Sequence, residues 1–264
     1  MSFVAQYPSL KCSNFLPALA TLAVACVASG SAQSPQDALH APDGNSFTRI
    51  VSIFIPPIPN MPFSATVSTE WTRLTSDGAT IVVKNHRLVA RDSQGHVFEE
   101  RRRFVPADSS APSLLFQTEY VDPTRHTRTV CFPTSKVCDT NGFFEPPNLA
   151  TVPAGPMADG KHYLSRADLG KGEVDNLETV GTRETIATNP GAAGNDREVT
   201  LTKEFWYSPQ LGINLVVKRM DPLQGTQLFT VSNISLAEPD ARLFVVPAKY
   251  KVVDQRTTPP APVK

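Results

Sequence analysis

The chain is 264 residues long, with 25 basic and 25 acidic side chains, five histidines and a formal net charge of zero. That balance excludes a global electrostatic pull toward nucleic acid or an anionic surface. The length suits one β domain and is enough to bury a substantial core without covalent staples.

Lys11 is followed by an apolar run, Phe15 to Val27, with the length of a signal-peptide core and too short to span a bilayer. Gly30 and Ala32 then offer a cleavage site, so residues 1–32 read as an export signal. A second reading stays open: Leu22-Ala23-Val24-Ala25-Cys26 is acceptable as a lipoprotein box, which makes Cys26 the lipidated first residue. The first reading places the protein in the periplasm or outside the cell, the second on the outer membrane. Membrane attachment would come through Cys26 alone, because no later stretch is apolar for long enough to cross.

Residues 33–250 read as one antiparallel β domain and 251–264 as a Pro-rich tail. Ser34-Pro35-Gln36-Asp37 has the capping chemistry of one short helix. Phe47 to Ile55 reads as a strand, and Ile55 to Asn60 (IPPIPN) as a stiff extended connection, with a partner-docking polyproline segment as the alternative. Next, Phe63, Ala65, Val67 and Trp71 alternate with Ser64, Thr66, Ser68, Glu70 and Thr72, the pattern of a half-buried strand. Ser76-Asp77-Gly78 reverses the chain into Thr80–Arg91, and Asp92-Ser93-Gln94-Gly95 reverses it again. A tight register there sets Arg87 opposite Glu100 and Ala90 opposite Val97, so the run Arg101 to Arg103 reads as a solvated sheet face, partly neutralised across the strand. A nucleic-acid or lipid-binding patch is the weaker reading of that run.

Leu114 to Val121 is the next strand, turned by Asp122-Pro123 into TVCFPTSKVCDT. A hairpin centred on Thr134 and Ser135 places Phe132 opposite Val137 and Cys131 opposite Cys138, which predicts a cross-strand disulfide in an oxidising compartment. Free thiols are the alternative; metal is disfavoured because His126 has no partner ligand. From Asn141 to Gly160 no period is visible, and Phe143 and Phe144 make a candidate lid over an apolar surface, with a plain loop as the alternative.

Strands resume at His162–Asp168 and Leu177–Thr188, and a turn-rich loop leads to three long runs ending at Leu236. In these, Val199, Leu201, Phe205 and Tyr207 share one face, as do Leu211, Ile213, Leu215 and Val217. Trp206 points the other way, toward packing against a loop or, alternatively, a ligand platform. Asp240 can cap the short turn ARLF. The fold class is therefore all-β, and long strands joined by short turns make a meander whose accumulated twist must coil it into an open half-barrel or close it. Scattered histidines, dispersed carboxylates and the lack of a phosphate loop or nucleophile elbow point to no enzyme and no cofactor.

The segments GTRETI, GAAGNDRE, EFWYSP, MDPLQG and VSNISLAEPDARLFVVPAKYKV, with IPNMPFSA and RDSQGH before them, together resemble a group of uncharacterised bacterial exported proteins. That group in turn looks distantly similar to the LolA, LolB and RseB superfamily. The resemblance implies a curved antiparallel half-barrel that holds acyl chains or lipoprotein. On that reading Val67, Trp71, Phe116, Phe205, Leu215 and Val217 would line the concave wall, and the partner would be a lipid, a lipoprotein or another hydrophobic molecule. Two other readings stay open: a structural or interaction protein of the envelope with a filled core, and a hydrolase with a dispersed site.

Overall fold

The structure is a computed structural model, which describes residues 53–143 and 153–256, all within the compact unit Gln33–Lys264. The expected export signal with Cys26, the helix expected at residues 34–37, Phe144 and the chain after Arg256 lie outside the described residues.

The first run of strands is β1 (Phe63–Leu74), β2 (Thr80–Arg91), β3 (Val97–Arg102), the two-residue β4 (Val105–Pro106), β5 (Leu115–Asp122), β6 (Thr127–Phe132) and β7 (Val137–Gly142). The second run is β8 (Gly155–Pro156), β9 (His162–Val174), β10 (Leu177–Thr188), β11 (Val199–Ser208), β12 (Ile213–Asp221) and β13 (Gly225–Ser235). A short 3-10 helix, Ala241–Phe244, capped by the Asp240 side chain on the Arg242 amide, leads into β14 (Lys251–Asp254).

All fourteen strands belong to one sheet, ordered β14-β7-β6-β5-β3-β2-β1-β13-β12-β11-β10-β9-β8, with β4 beside β2. Two meanders thus meet at an antiparallel β1–β13 pair, and the only parallel pair among the described residues is β14 on β7. Counting along that order, the path from β7 to β8 takes eleven strand steps, which on a flat sheet spans about 53 Å at ~4.8 Å per step. The chain from Phe143 to Gly155 reaches at most ~43 Å. The sheet must coil, yet its two edges do not pair with each other among the described residues. This is the open antiparallel half-barrel expected from the long strands.

One face is packed. Phe63, Ala65 and Val67 of β1 meet Val89 of β2, Val97, Val121, Phe205, Leu215, Val217, Phe229 and Val231 in one buried cluster, closed over by Ile53, Ile55 and Leu211. Fully burying a side chain of this size contributes about 1.5–3 kcal/mol. Arg91 seals the closure: its guanidinium is wholly buried and donates to the carbonyls of Met61 (2.9 Å), Pro56 (2.9 Å) and Leu211 (2.6 Å), above the Phe63 ring. The IPPIPN segment is therefore a packed connection. Gly95 enforces it, since its φ is +86° and a Cβ there would meet the Pro57 carbonyl oxygen at 3.0 Å.

Three sequence expectations need correction. The β2–β3 register is one residue away from the tight hairpin: Ala90 pairs with Phe98 and Arg91 with Val97. The Asp92 carboxylate accepts from the Gln94 and His96 amides, which widens the turn and puts Glu99, rather than Glu100, in reach of Arg87. The run Arg101–Arg103 is consequently no solvated face, because Arg101 and Arg102 are half-buried in ion pairs. Second, of the strand expected over Phe47 to Ile55, residues 47–52 lie outside the described residues and Ile53–Ile55 belong to no strand. Third, the chain after Tyr250 opens with β14, whose Lys251 to Asp254 pair with Val137 to Thr140, before any tail begins.

Candidate functional site

Antiparallel pairing brings together, at one end of the sheet, the ends of β1, β3 and β12 and the starts of β2, β5 and β13. On the packed face every one of the central strands then shows the same three layers. Along β1 these are Phe63, Ala65 and Val67, then Thr69, then Trp71 and Arg73; along β12 they are Leu215 and Val217, then Arg219, then Asp221. An apolar core gives way to a polar band, and the band to a rim.

The band on β2 to β6 is a chain of ion pairs. Arg87 donates to Glu99 at 2.7 Å, Arg101 lies 3.3 Å from Glu99 and 3.8 Å from Glu119, and Arg128 grips Glu119 with both nitrogens at 2.5 and 2.7 Å. Burial alone would raise the Glu119 carboxyl, but the hydrogen bonds from Arg128, with Arg101 and Arg87 beyond, hold it below the ordinary carboxylate range. Burial pulls the Arg87 guanidinium down, against the Glu99 charge. Charges removed from water are tolerable only in such closed arrays.

The rim is apolar and exposed. Trp71 donates its indole N–H to the Gln224 carbonyl at 2.8 Å, carries the Arg73 guanidinium 4.4 Å above its ring, and meets the Phe104 ring at 6.2 Å. Beside Phe104, Arg103 lies 5.7 Å over the Phe116 ring. Leu223 is 87% exposed, Leu74 73% and Leu114 63%, with Ile81 and Phe104 also open to solvent. Leu223, Phe104 and Leu114 are held by local chemistry. Asp221 accepts from the Leu223 amide at 2.8 Å and fixes the β12–β13 turn. Gly225 lets that turn lie on β1, for a Cβ there would sit 2.1 Å from the Thr72 carbonyl oxygen. Arg102, bonded to Glu100 and to the Ser113 carbonyl, ties the Arg103–Phe104 segment to Leu114.

The residues picked out by sequence divide between the layers. Val67, Phe205, Leu215 and Val217 lie buried in the core cluster. Trp71 stands in the rim, and Phe116 sits there at a β-bulge opposite Arg101 and Arg102. Phe143 packs partly buried against the core, its amide bonded to the His126 carbonyl. Cys131 and Cys138 are opposite one another and disulfide-bonded, as the hairpin predicts. Trp206 lies on the bare backbone of Gly172 and Gly181, where a Cβ on Gly172 would come within 2.5 Å of the ring, so it is packed and offers no open platform. Leu74, Ile81, Phe104, Leu114, Leu223, Arg73 and Arg103 were not anticipated; the Asp221-Pro222-Leu223 turn, with a large apolar residue where turns are polar, was the available signal.

Elsewhere, open grooves of about 180 and 490 Å³ run along β9 and β10, lined among the described residues by Arg166, Asp168, Lys171, Glu173, Glu178 and Val180. His96 bonds Asp92 at 2.7 Å with Asp122 at 3.6 Å, and His162 bonds Asp159 at 2.6 Å, both as locks on turns. Among the described residues no helix is long and apolar enough to cross a membrane.

No protein-family model matches the chain, and no curated protein does. Among solved structures it is similar to MucB in the Pseudomonas aeruginosa MucA/MucB complex, with 13% identity, a TM-score of 0.37, and 73% of this chain and 58% of that chain covered. It is also similar to a LolA superfamily protein from Nitrosomonas europaea, with 12% identity, a TM-score of 0.29 and coverage of 71% and 91%. A third is LprF from Mycobacterium bovis, with 16% identity, a TM-score of 0.28 and coverage of 68% and 89%. The chain spans less than two thirds of the length of MucB.

Proposed function

We propose that this chain is an exported cell-envelope binding protein, not an enzyme, and that it takes a hydrophobic partner, a lipid or a lipoprotein, at the rim around Trp71, Phe104 and Phe116. The observation that carries the reading is that six large exposed apolar side chains, Leu74, Ile81, Phe104, Leu114, Phe116 and Leu223, lie toward one end of the sheet, with Leu223 set by a turn and Phe116 under a stacked arginine. Scattered exposed leucines need no explanation, but a braced set supports a partner surface. Residues 1–32 and the Cys131–Cys138 disulfide support export, because such bonds persist in oxidising compartments.

The burial of Val67, Phe205, Leu215 and Val217 in one cluster supports a partner at the rim rather than on the concave wall. It also favours one other reading, an envelope interaction protein with no small-molecule ligand. Native mass spectrometry of the protein from a periplasmic preparation, followed by solvent extraction, separates the two. An acyl-bearing adduct is expected, and it should vanish in Trp71→Ser/Phe104→Ser while the fold survives. A bare mass with no uptake of added lipopeptide would leave the interaction protein in front.

A further inference from the structure

One edge of the sheet is almost bare. β8 pairs with β9 only at Tyr163 and Leu164, and the Asp175-Asn176 turn ends β9, so Ser165 to Val174 has no ladder partner on its outer side among the described residues. Which backbone groups point outward along this stretch follows from its two ends. The His162 carbonyl accepts from Met157 on the β8 side, so by alternation the amides and carbonyls of Leu164, Arg166 and Asp168 also face out. At the other end Asp175 and Asn176 both have positive φ, 49° and 64°, the two-residue turn that closes on a hydrogen-bonded Val174–Leu177 pair, so Glu173 and Lys171 face out. A bulge joins the two phases: Asp168 pairs with Thr182 and Gly170 with Gly181, which leaves Leu169 as the extra residue.

Of the outward positions on the open stretch, Arg166, Asp168, Lys171 and Glu173, every one is charged. Their cross-strand partners Glu184, Thr182, Val180 and Glu178 place all four side chains on one face. The signs run plus, minus, plus, minus. Reversed about a point between Leu169 and Gly170, this series meets its own complement, with Arg166 opposite Glu173 and Asp168 opposite Lys171. The same point is the middle of the open stretch Ser165–Val174 and lies in the bulge. In an unbulged edge strand a two-fold axis passes between two copies of one residue, which here would set Arg166, Asp168, Lys171 or Glu173 against itself. The bulge shifts the outward phase by one residue and removes that clash. A bulge alone is an ordinary guard of an edge, but guarding needs no reversed order of charges on its two sides. Glu173 also lies directly opposite Glu178, a like-charged pair, and neither of them nor Lys171 makes an ion pair among the described residues.

We infer that β9 pairs antiparallel with β9 of a second copy of this chain, about a two-fold axis between Leu169 and Gly170. Arg166 and Asp168 would exchange backbone hydrogen bonds with Glu173 and Lys171 of the second copy, and the reverse by symmetry, each pair carrying opposite charges. Arg166, bonded to Glu184 at 2.8 Å within its own sheet, would gain a second carboxylate, and Glu173 the cation that it lacks. This goes beyond the rim and does not rest on it, since the sheet is extended at its edge and the packed face is left as it is.

Sedimentation equilibrium and backbone amide exchange test the pairing, on protein from a periplasmic preparation that carries Cys26→Ser so that no acyl anchor drives association. A concentration-dependent dimer is expected. As it forms, the amides of Arg166, Asp168, Lys171 and Glu173 should slow in exchange by roughly ten-fold or more, while those of Ser165, Ala167 and Gly172, which face β10, should not change. Lys171→Glu sets a carboxylate against Asp168 twice across the axis and should weaken the dimer by roughly ten-fold or more. Glu173→Arg, which relieves the contact with Glu178, should weaken it as much without lowering the thermal transition. Added salt should weaken the unaltered dimer and strengthen that of Lys171→Glu. A monomer at every concentration would overturn the inference, as would a dimer that both charge variants leave intact or that leaves the outward β9 amides unprotected. Protection of those amides in a monomer, and only when an unrelated extended peptide is added, would overturn it in favour of a strand from another protein.

Discussion

The two ends of the packed face are built on the same strands with the same alternation, yet one is sealed and the other open. At the sealed end Phe63, Val89 and Phe205 are covered by the Ile53–Met61 segment and Leu211, which Arg91 stitches down. At the open end Trp71 is half-buried against the Gln224 carbonyl, the Phe104 ring and Arg73, and Phe116 lies under Arg103, with no segment folded over them like Ile53–Met61 among the described residues. What differs is not the strand but what folds back over it. Burial on a sheet is decided by segments distant in sequence, so an apolar residue in an alternating run carries only half of the information about its own environment.

Arg91→Ala breaks the sealed end most severely. It orphans three buried carbonyls and opens a void over Phe63, at a cost of about 3–5 kcal/mol in urea or guanidinium unfolding. Burial has already pulled this guanidinium down to about 10, so the side chain is held by geometry against its own desolvation. If Arg91→Ala cost less than about 1 kcal/mol, the closure would not depend on the stitch.

The polar band separates the ends, and Glu119 is its middle. Glu119→Ala leaves Arg128 and Arg101 without their shared carboxylate and should cost about 3 kcal/mol. Its pH dependence has a definite sign. The folded carboxyl is held below the ordinary value of 4.5, so its contribution is present above that pH and is lost as pH falls through the lower, folded value. Glu100, held down by Arg102 and the Leu88 amide against its own burial, acts in the same window. In Glu119→Gln the acid limb of the stability profile should become shallower; an unchanged limb would show that the band titrates elsewhere.

Much of this was legible in the residues. The strands, the Phe63-Ala65-Val67-Trp71 face, the Cys131–Cys138 pairing and the coiled open sheet follow from period-two alternation and turn chemistry, which are local. What failed was whatever depended on a turn's hydrogen bonds or on a distant segment. One carboxylate, Asp92, moved the β2–β3 register and converted a reading of solvated arginines into a buried ion-pair chain. Four of the six wall candidates, Val67, Phe205, Leu215 and Val217, share one buried cluster with Ile53, Ile55 and Leu211, which precede β1 or join β11 to β12 and so carry no signal in the strands themselves. The rim was missed for the converse reason, since Leu223 and Phe104 lie in turns and crossings where no period marks them.

The open end should depend on local devices where the sealed end depends on burial. Cys131 and Cys138 close the β6–β7 hairpin, eight residues of chain counting both cysteines, so opening the bond by Cys131→Ser/Cys138→Ser should cost about 2.5 kcal/mol from loop closure. It should do so without altering the near-ultraviolet signal of the aromatic core. Loss of that signal would mean that the two regions fold as one cooperative piece at this edge.

The smallest expected effect on stability is the most informative for function. Leu223 is 87% exposed and displayed by a turn whose geometry comes from Asp221 and Gly225, so Leu223→Ser removes no packed contact and should change stability by less than about 0.5 kcal/mol. Asp221→Ala is its counterpart: it frees the Leu223 and Gln224 amides and removes one carboxylate from the Arg219 guanidinium, and so should destabilise by about 1–2 kcal/mol while leaving the leucine present. If partner binding falls in Leu223→Ser with stability untouched, the leucine is kept exposed for a surface outside the molecule. If binding falls only in Asp221→Ala, the rim's contribution is its shape. If neither variant affects binding, the exposed end is an ordinary edge and the comparison between the two ends loses its functional meaning.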